Sequence, residues 1–239
     1  MCTVLDLSAT PDDAEAIGEL APVSLAPDEL ETWRSFRLPK RRREWLMGRL
    51  AAKEAVRLRL MRSDFPSRPE ARPSPPSRRE IVVRTDERGR PSAGPAIALS
   101  IAHTEGIAVA AVATRAVGIG IDVERLDRRR GDYERGAFTD DERRRLDAGP
   151  ADRRAERALR LFCAKEAAAK ATGLGLMGSP LNLHVVACDA GLERVELRAV
   201  GRLAEALPDG DRIPTTVAWV GTRAGLVIAL SQRGAGGRP

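Results

Sequence analysis

The feature that most constrains the fold is an internal repeat. The tetrapeptide Ala-Lys-Glu-Ala occurs at Ala52–Ala55 and, 112 positions later, at Ala164–Ala167. Each copy lies in a stretch with helical character and is followed by a hairpin-like β-rich block, which turns near Gly106 in the first case and near Gly225 in the second. Unless these short Ala-rich strings match by chance, the repeat indicates two similar α/β halves, an α+β fold arranged as a pseudo-dimer.

The repeat also sets the expected domain limits. We expect an N-terminal α+β half over 1–115, a C-terminal half over 116–233 and a disordered tail at 234–239. The stretch 62–79 is rich in Pro, Ser and Arg, which is typical of a mobile loop. In the second half the pattern predicts a strand over 117–123, helices over 140–146, 152–172 and 202–207, and strands over 183–187 and 195–200 before the final hairpin.

The composition indicates an anionic partner but does not identify it. The net charge of +6 points to a nucleic acid, a phosphorylated small molecule or an acidic protein. Aromatic residues make up 3% of the chain, which argues against a protein that stacks single-stranded bases on aromatic rings. There is no apolar run of membrane-spanning length, and three widely spaced cysteines form no CxxC pair. We therefore expect a soluble cytoplasmic protein without a disulfide framework or a zinc site.

Two carboxylates stand in the apolar strand Gly118–Glu124. Asp122 and Glu124 are two residues apart, so both side chains project from one face of the strand. Like charges at close range raise each other's pKa, and a hard cation such as Mg²⁺ would relieve the repulsion by binding the carboxylate oxygens. The alternative is an exposed strand end at which the acids pair with Arg125 or Arg128.

The second copy of the repeat carries an isolated set of charges. Glu166 and Lys170 are four residues apart and share a helix face, in the order that favours pairing. Together with Lys165 they are the only charged groups between Ala164 and Pro180. This isolation favours a functional placement over the exposed salt bridge that is common on helices.

A third set of polar residues suits an anionic ligand. His103 approaches the turn of the first hairpin, where Ser100 and Thr104 would add hydrogen-bond donors to a phosphate. Basic residues also crowd the helical stretch 40–53 and the turn 88–91. Guanidinium groups bind phosphates with two parallel hydrogen bonds. The alternatives are a surface histidine and a solvated basic face.

In this order, the residues resemble the three motifs of the 4′-phosphopantetheinyl transferase superfamily, in its long, single-chain, pseudo-dimeric type. The family's Gly-Ile-Asp-Ile-Glu-like string stands here at 120–124. Its aromatic residue, Lys-Glu-Ala and further Lys stand at 162–170, and its Ser-His string after a Gly-Lys-Pro turn corresponds to 100–104 after 89–91. The resemblance covers most of the chain, from about residue 41 through Asn182.

The sequence departs from the family pattern at three positions. Phe162 stands where Trp is commoner, Ala102 where Ser is usual, and Arg90 where Lys is usual. The Ala102 change removes one hydroxyl donor to a phosphate. None of the three changes removes an implied metal ligand or a motif lysine.

The resemblance implies an enzyme that transfers the 4′-phosphopantetheine group of coenzyme A to a serine of an apo acyl or peptidyl carrier protein, releasing 3′,5′-ADP. It implies that Asp122, Glu124 and Glu166 bind Mg²⁺, or Mn²⁺ in its place, and that Glu166 is the base. It also implies that Lys170 stabilises the leaving group, and it places the site in a cleft between the two halves. The implied contacts to coenzyme A are Arg43, Arg49, Lys53, Arg88, Arg90, Ser100, His103, Thr104, Lys165 and Lys170.

The expected partners follow from the same resemblance. They are coenzyme A and a carrier protein of fatty-acid, polyketide or nonribosomal peptide synthesis, with no nucleic acid, no membrane and a monomeric enzyme. One alternative is a non-catalytic nucleic-acid-binding protein, which would explain the charge but not the set Asp122, Glu124 and Glu166. Another is a degenerate transferase kept as a scaffold, which the intact set of implied ligands disfavours.

Overall fold

A computed structural model describes residues 2–5, 14–63, 74, 76–114, 118–126, 134–207, 216–223 and 225–233. The chain divides into two compact units, Met1–Arg115 and Ala116–Pro239. Each unit combines helices with one five-stranded antiparallel sheet, which confirms the predicted α+β class. Within the described ranges, no helix is both long enough and apolar enough to cross a membrane.

Unit 1 packs a long helix on its sheet. The sheet has the strand order β1-β5-β4-β3-β2. Met47, Ala51 and Ala55 of the long helix α3 are buried in one apolar cluster with Ala108 and Val112 of β5. The elements are β1 (Cys2–Leu5), α1 (Ala14–Ser24), α2 (Pro27–Ser35), α3 (Pro39–Ser63), β2 (Arg84–Thr85), β3 (Pro91–Ser92), β4 (Ile97–Thr104) and β5 (Ile107–Thr114).

Unit 2 repeats this plan. Its sheet has the order β6-β10-β9-β8-β7, and a long helix, α6, packs against β6 and β10. The predicted terminator Gly173 is confirmed, since it ends α6 with a φ of 74°, a left-handed conformation that favours glycine. The elements are β6 (Gly118–Arg125), α4 (Glu134–Ala137), α5 (Asp140–Asp147), α6 (Arg154–Thr172), β7 (Leu183–Cys188), β8 (Arg194–Ala199), α7 (Gly201–Ala206), β9 (Thr216–Arg223) and β10 (Leu226–Arg233).

The two sheets share one connectivity. In each, the first strand of the unit pairs with the last, and the remaining strands follow in reverse order of sequence. Both predicted hairpin turns are present, with Gly106 between β4 and β5 and Gly225 between β9 and β10. The helices with the Ala-Lys-Glu-Ala repeat, α3 and α6, lie after the first strand in each unit. The sequence repeat therefore corresponds to a repeated topology.

Two predicted mobile segments lie largely beyond the described ranges. Arg62 and Ser63, the first two residues of the expected loop, belong to the last turn of α3. Residues 64–73 and the expected tail 234–239 lie outside the described residues.

Candidate active site

The position of the acidic strand is set by two glycines. A Cβ atom at Gly118 would lie 2.0 Å from the carbonyl oxygen of Ala171, and one at Gly120 would lie 1.8 Å from that of Ala167. The backbone of β6 thus rests directly on α6, an approach that only glycine permits. Asp122 follows on the same face of the strand, so its carboxylate is directed at the helix.

Beyond its first turn, helix α6 leaves a single stripe of side chains partly exposed. Between Ala158 and Ala171 every residue is buried except Phe162, Glu166 and Lys170. These three are spaced by four residues, so they form one line along the helix. The chemically active groups of the predicted motif therefore occupy the one part of this segment that solvent can reach.

Asp122 and Lys170 form the core of the site. The Nζ atom of Lys170 donates to Oδ1 of Asp122 at 2.8 Å and to the carbonyl oxygen of Ile121 at 3.1 Å. The lysine side chain is 30% exposed, whereas that of Asp122 is 9% exposed. Burial raises the pKa of the Asp122 carboxyl, and the neighbouring ammonium of Lys170 partly offsets this increase.

The second carboxylate oxygen of Asp122 is a candidate ligand of the predicted metal ion. Oδ2 is buried and accepts no hydrogen bond from the part of the chain that the structure describes. A buried carboxylate oxygen with Glu124 two residues along the same face is a donor set that suits a hard divalent cation. Among the described residues, however, no three His, Cys, Asp or Glu side chains lie close enough to hold a metal. The residues of β6 therefore fit a cation, while the three-ligand set with Glu166 stays a prediction.

Lys165, which the sequence suggested as a phosphate contact, lies inside its own unit. Its side chain is 0% exposed. Its Nζ atom donates to Oε2 of Glu142 at 2.7 Å and to the carbonyl oxygen of Ala137 at 2.8 Å. Burial lowers the pKa of Lys165, and the charge of Glu142 partly offsets this effect. In this arrangement the ammonium group has an internal partner, and the role of Lys165 towards a phosphate stays a prediction.

Glu142 is a residue that sequence reasoning missed. Its Oε1 accepts from the backbone nitrogen of Val185 at 2.9 Å, and its Oε2 accepts from that of Thr139, also at 2.9 Å, as well as from Lys165. Thr139 and Glu142 form a capping box at the start of α5. The Thr-x-x-Glu string would have predicted the cap, but its partner Lys165 lies 23 positions further along the chain.

Unit 1 contains the same arrangement. Lys53, also 0% exposed, pairs with Oε2 of Glu29 and donates to the carbonyl oxygen of Arg78 at 3.0 Å. Glu29 accepts from the backbone nitrogens of Ala26, at 2.9 Å, and Val83, at 3.0 Å. Burial lowers the pKa of Lys53, an effect partly offset by Glu29. As for Lys165, the predicted contact of Lys53 with coenzyme A stays a prediction.

A comparison of the two copies of the repeat shows which residues both units share and which occur only in unit 2. Thr3 lies opposite Ala110, four residues after Gly106, and Asp122 lies opposite Ala229, four residues after Gly225. Thr3 therefore holds the position of Asp122, and by the same register Leu5 holds that of Glu124. With Lys53 aligned on Lys165, Leu58 stands where unit 2 has Lys170. The buried Lys–Glu pair is common to both units, whereas the Asp122–Lys170 pair belongs to unit 2 alone.

Arg49 is the most buried of the arginines predicted to bind phosphate. Its side chain stacks on the Trp45 ring, 4.5 Å from the centroid, and Nη2 donates to Oγ1 of Thr85 at 2.7 Å. Burial lowers the pKa of this guanidinium group. Arg43 lies six residues earlier on α3 and is partly buried. The roles of Arg43 and Arg49 towards coenzyme A stay predictions.

Arg88 and Arg90 lie on the exposed turn between β2 and β3, which Asp86 organises. Oδ1 of Asp86 accepts from the backbone nitrogens of Arg88 and Arg90, each at 2.9 Å, and Oδ2 accepts from Nε of Arg90 at 2.7 Å. Sequence reasoning missed Asp86, although Asp is a residue typical of such turns.

The remaining predicted contacts, Ser100, His103 and Thr104, lie on β4 and differ in their exposure to solvent. His103 is exposed, whereas Ser100 and Thr104 are buried. As the structure stands, His103 is the member of this set that is open to a ligand, and all three roles stay predictions.

Comparison with known proteins places the chain beside one group of enzymes. Residues 118–208 match the sequence profile of the 4′-phosphopantetheinyl transferase superfamily. A holo-[acyl-carrier-protein] synthase of Methylobacterium radiotolerans is 40% identical in an alignment of 105 residues that covers 39% of this chain and 76% of that protein.

Two solved structures of holo-[acyl-carrier-protein] synthases are similar to parts of the chain. The Thermotoga maritima protein has a TM-score of 0.40 at 21% identity, and the match covers 50% of this chain and 64% of that one, just under two thirds of its length. The Neisseria meningitidis protein has a TM-score of 0.40 at 26% identity, over 49% of this chain and 97% of that one.

Proposed function

Because the chain belongs to the 4′-phosphopantetheinyl transferase superfamily, we propose that it transfers the 4′-phosphopantetheine group of coenzyme A to a serine of an apo carrier protein. One observation carries the proposal. The region matched by the family profile, 118–208, contains Asp122, Glu124, Glu166 and Lys170. Within it, the buried carboxylate of Asp122 is paired with the partly exposed Lys170.

The proposed reaction is a displacement at phosphorus. The serine hydroxyl oxygen of the carrier protein attacks the β-phosphorus of coenzyme A, and the bond from that phosphorus to the bridging oxygen breaks. Glu166, on the exposed stripe of α6, accepts the serine proton. The positive charge of Lys170 interacts with the phosphate oxygens and stabilises 3′,5′-ADP as it leaves.

We propose that Asp122, Glu124 and Glu166 hold the divalent cation, Mg²⁺ or Mn²⁺. The buried Oδ2 atom of Asp122, which accepts no hydrogen bond from the described residues, supports this assignment. When bound, the cation would neutralise part of the pyrophosphate charge. Lys170 also supplies a positive charge beside Asp122.

The proposed partners follow from the reaction. Coenzyme A provides the transferred group, and the exposed basic residues of unit 1, including Arg88, Arg90 and His103, are proposed to contact its phosphates. The carrier protein belongs to fatty-acid, polyketide or nonribosomal peptide synthesis, and a monomer is proposed to suffice.

The test is a mass measurement on carrier proteins. The purified chain is incubated with coenzyme A, Mg²⁺ and a panel of apo acyl and peptidyl carrier proteins, and each carrier is weighed by intact mass spectrometry. We expect at least one carrier to gain one phosphopantetheine group. Omitting coenzyme A, or replacing the acceptor serine of that carrier with alanine, should abolish the gain. A panel without any modified carrier, tested with folded enzyme, would contradict the proposal.

A further inference from the structure

The buried pair Glu142–Lys165 connects four elements of unit 2. Glu142 lies on α5 and accepts from the backbone of β7 at Val185, while Lys165 lies on α6 and donates to the last residue of α4, Ala137. The side chains of Lys165 and Glu142 are 0% and 2% exposed. Such a pair is directional, since its geometry fixes the positions of both side chains.

From Cys163 to Ala171, the buried side chains of α6 other than Lys165 are small, whereas the larger buried side chains of Leu159, Arg160 and Leu161 lie nearer the start of the helix. Ala164, Ala167, Ala168, Ala169 and Ala171 supply most of its buried side chains in this segment. Alanine has no side-chain rotamer to interdigitate, so an alanine surface specifies the rotation of a helix about its axis only weakly. The buried polar contact of Lys165 then adds to the contacts of Arg160 with Thr222 and of Lys170 with Asp122 in setting this rotation.

The rotation of α6 decides which residue is exposed. Consecutive residues of a helix are about 100° apart around the axis, so directing Lys165 inwards places Glu166 on the neighbouring face. The same relation holds in unit 1, where Glu54, directly after the buried Lys53, is the one residue between Leu46 and Val56 that is not fully buried. In both units, the residue after the buried lysine is therefore partly open to solvent.

We propose that the Glu142–Lys165 pair is a positioning element of the site. It helps to fix the rotation of α6, so that the stripe of Phe162, Glu166 and Lys170 faces outwards and Lys170 is held beside Asp122. The inference rests on the proposed transferase activity for its functional readout. Lys165 and Glu142 act through the helix and touch neither substrate in this scheme.

The test separates positioning from stability by removing both charges together. Removing one member of a buried pair leaves the other without compensation, whereas replacing both with uncharged residues of similar size is often close to neutral for stability. We therefore compare K165M with the double variant K165M/E142Q. The double variant should regain part of the thermal stability that K165M loses, because no charge is left buried alone, although the carboxamide at position 142 can accept from only one of the backbone nitrogens of Val185 and Thr139.

Activity should not recover with stability. We expect kcat of K165M/E142Q to stay about 10- to 100-fold below the wild type, the range for a misplaced reactive group, while KM for coenzyme A changes less than about threefold. The control is R160M/E156Q, which removes another ion pair of α6, one in which Arg160 is buried, Glu156 is partly exposed, and both side chains bind Thr222 of β9. Its kcat should stay within about threefold of the wild type.

A second readout does not use activity. Cys163 lies on α6 and is 0% exposed, and in a C2S/C188S background it is the only thiol of the chain. If the pair fixes the rotation of α6, K165M/E142Q should react with 5,5′-dithiobis(2-nitrobenzoate) about tenfold faster than the background protein, and R160M/E156Q should not.

The outcomes are distinct. A folded K165M/E142Q variant with wild-type kcat and thiol reactivity would overturn the positioning role, and so would an equal loss of kcat in R160M/E156Q. If the wild type modifies no carrier protein, the proposed function fails, and the thiol rates alone then decide whether the pair fixes α6.

Discussion

At Asp122, the arrangement that suits the proposed function lowers the stability of the folded protein. The carboxylate sits against α6 with one oxygen paired to Lys170 and the other without a hydrogen bond from the described residues, and burial raises its pKa. A buried ionised group with an unsatisfied oxygen costs stability in the absence of a ligand. Retaining such a group is typical of a site whose ligand supplies the missing interaction.

The variant D122N tests this relation. Asparagine has the same shape and can still accept from Lys170, but it cannot ionise. We expect the Tm without ligand to stay within about 3 °C of the wild type or to rise, while carrier modification falls at least about 100-fold. Thermal unfolding and the transfer assay measure the two effects. A Tm lowered by more than about 5 °C would mean that the carboxylate is needed for folding rather than for the reaction.

Asp86 provides a pH-dependent test of the β2–β3 turn. Hydrogen bonds from the backbone nitrogen of Arg90 first, and from its side chain and Arg88, hold the pKa of this carboxyl below its usual value. The ionised form therefore stabilises the folded state at a pH above the unfolded pKa, and this contribution is lost as the pH falls through the lower, folded pKa.

We accordingly expect D86A to unfold at a lower temperature than the wild type at pH 7, with the difference shrinking as the pH is lowered to about 2. Thermal unfolding of both proteins across this range measures it. A difference in Tm that is constant with pH would assign the effect to packing and not to the charge of Asp86.

At the scale of elements, the contact between β6 and α6 determines the site. No side chain separates the strand from the helix at Gly118 and Gly120, so Asp122 reaches Lys170 at hydrogen-bond distance. A methyl group at position 120 would meet a helix carbonyl oxygen, and a backbone atom can yield only if the whole element moves.

G120A should therefore destabilise the protein by about 2–3 kcal/mol, the upper part of the range for overpacking, and reduce transfer as the strand is displaced. The matched control is G221A in β9 of the same sheet, because a Cβ atom there meets nothing within 4 Å. Urea unfolding of the two variants measures the difference. Equal stabilities would contradict the close strand–helix contact.

The sequence predicted the elements of this fold better than their contacts. Strand β6, helix α6 with its terminator Gly173, and both hairpin turns were predicted because periodicity and glycine are local signals. The burial of Lys165 was not predicted. A lysine near a site looks the same in the sequence whether its side chain faces solvent or a glutamate on another helix. Its partner Glu142 is distant in the chain, and only the folded structure joins them.

At the scale of the whole molecule, one chain contains two copies of the topology but one copy of the Asp–Lys pair. Unit 1 has Thr3 and Leu58 at the positions of Asp122 and Lys170. We expect one molecule of coenzyme A to bind per chain, as measured by isothermal titration calorimetry in the presence of Mg²⁺. Two equivalent sites per chain would show that unit 1 binds independently of these residues.

The net charge provides a second prediction at this scale. Carrier proteins are typically acidic, and the chain has a net charge of +6, so electrostatic attraction should assist their association. We expect KM for the carrier protein to rise about 10-fold between 50 mM and 500 mM NaCl with little change in kcat, since salt screens exposed charges. KM values that do not depend on salt would exclude a contribution of long-range charge to docking.

The chain has only four lysines, and two of them, Lys53 and Lys165, are sealed inside their units. Of the other two, Lys40 has a side chain that is 81% exposed and Lys170 one that is 30% exposed. For an amine-specific reagent, such as formaldehyde with a borohydride, the folded protein therefore offers very few targets, and one of them lies in the proposed site. Replacing Lys40 with arginine would make Lys170 the single accessible lysine, so the extent of its methylation would report directly how much of the site is occupied by a ligand.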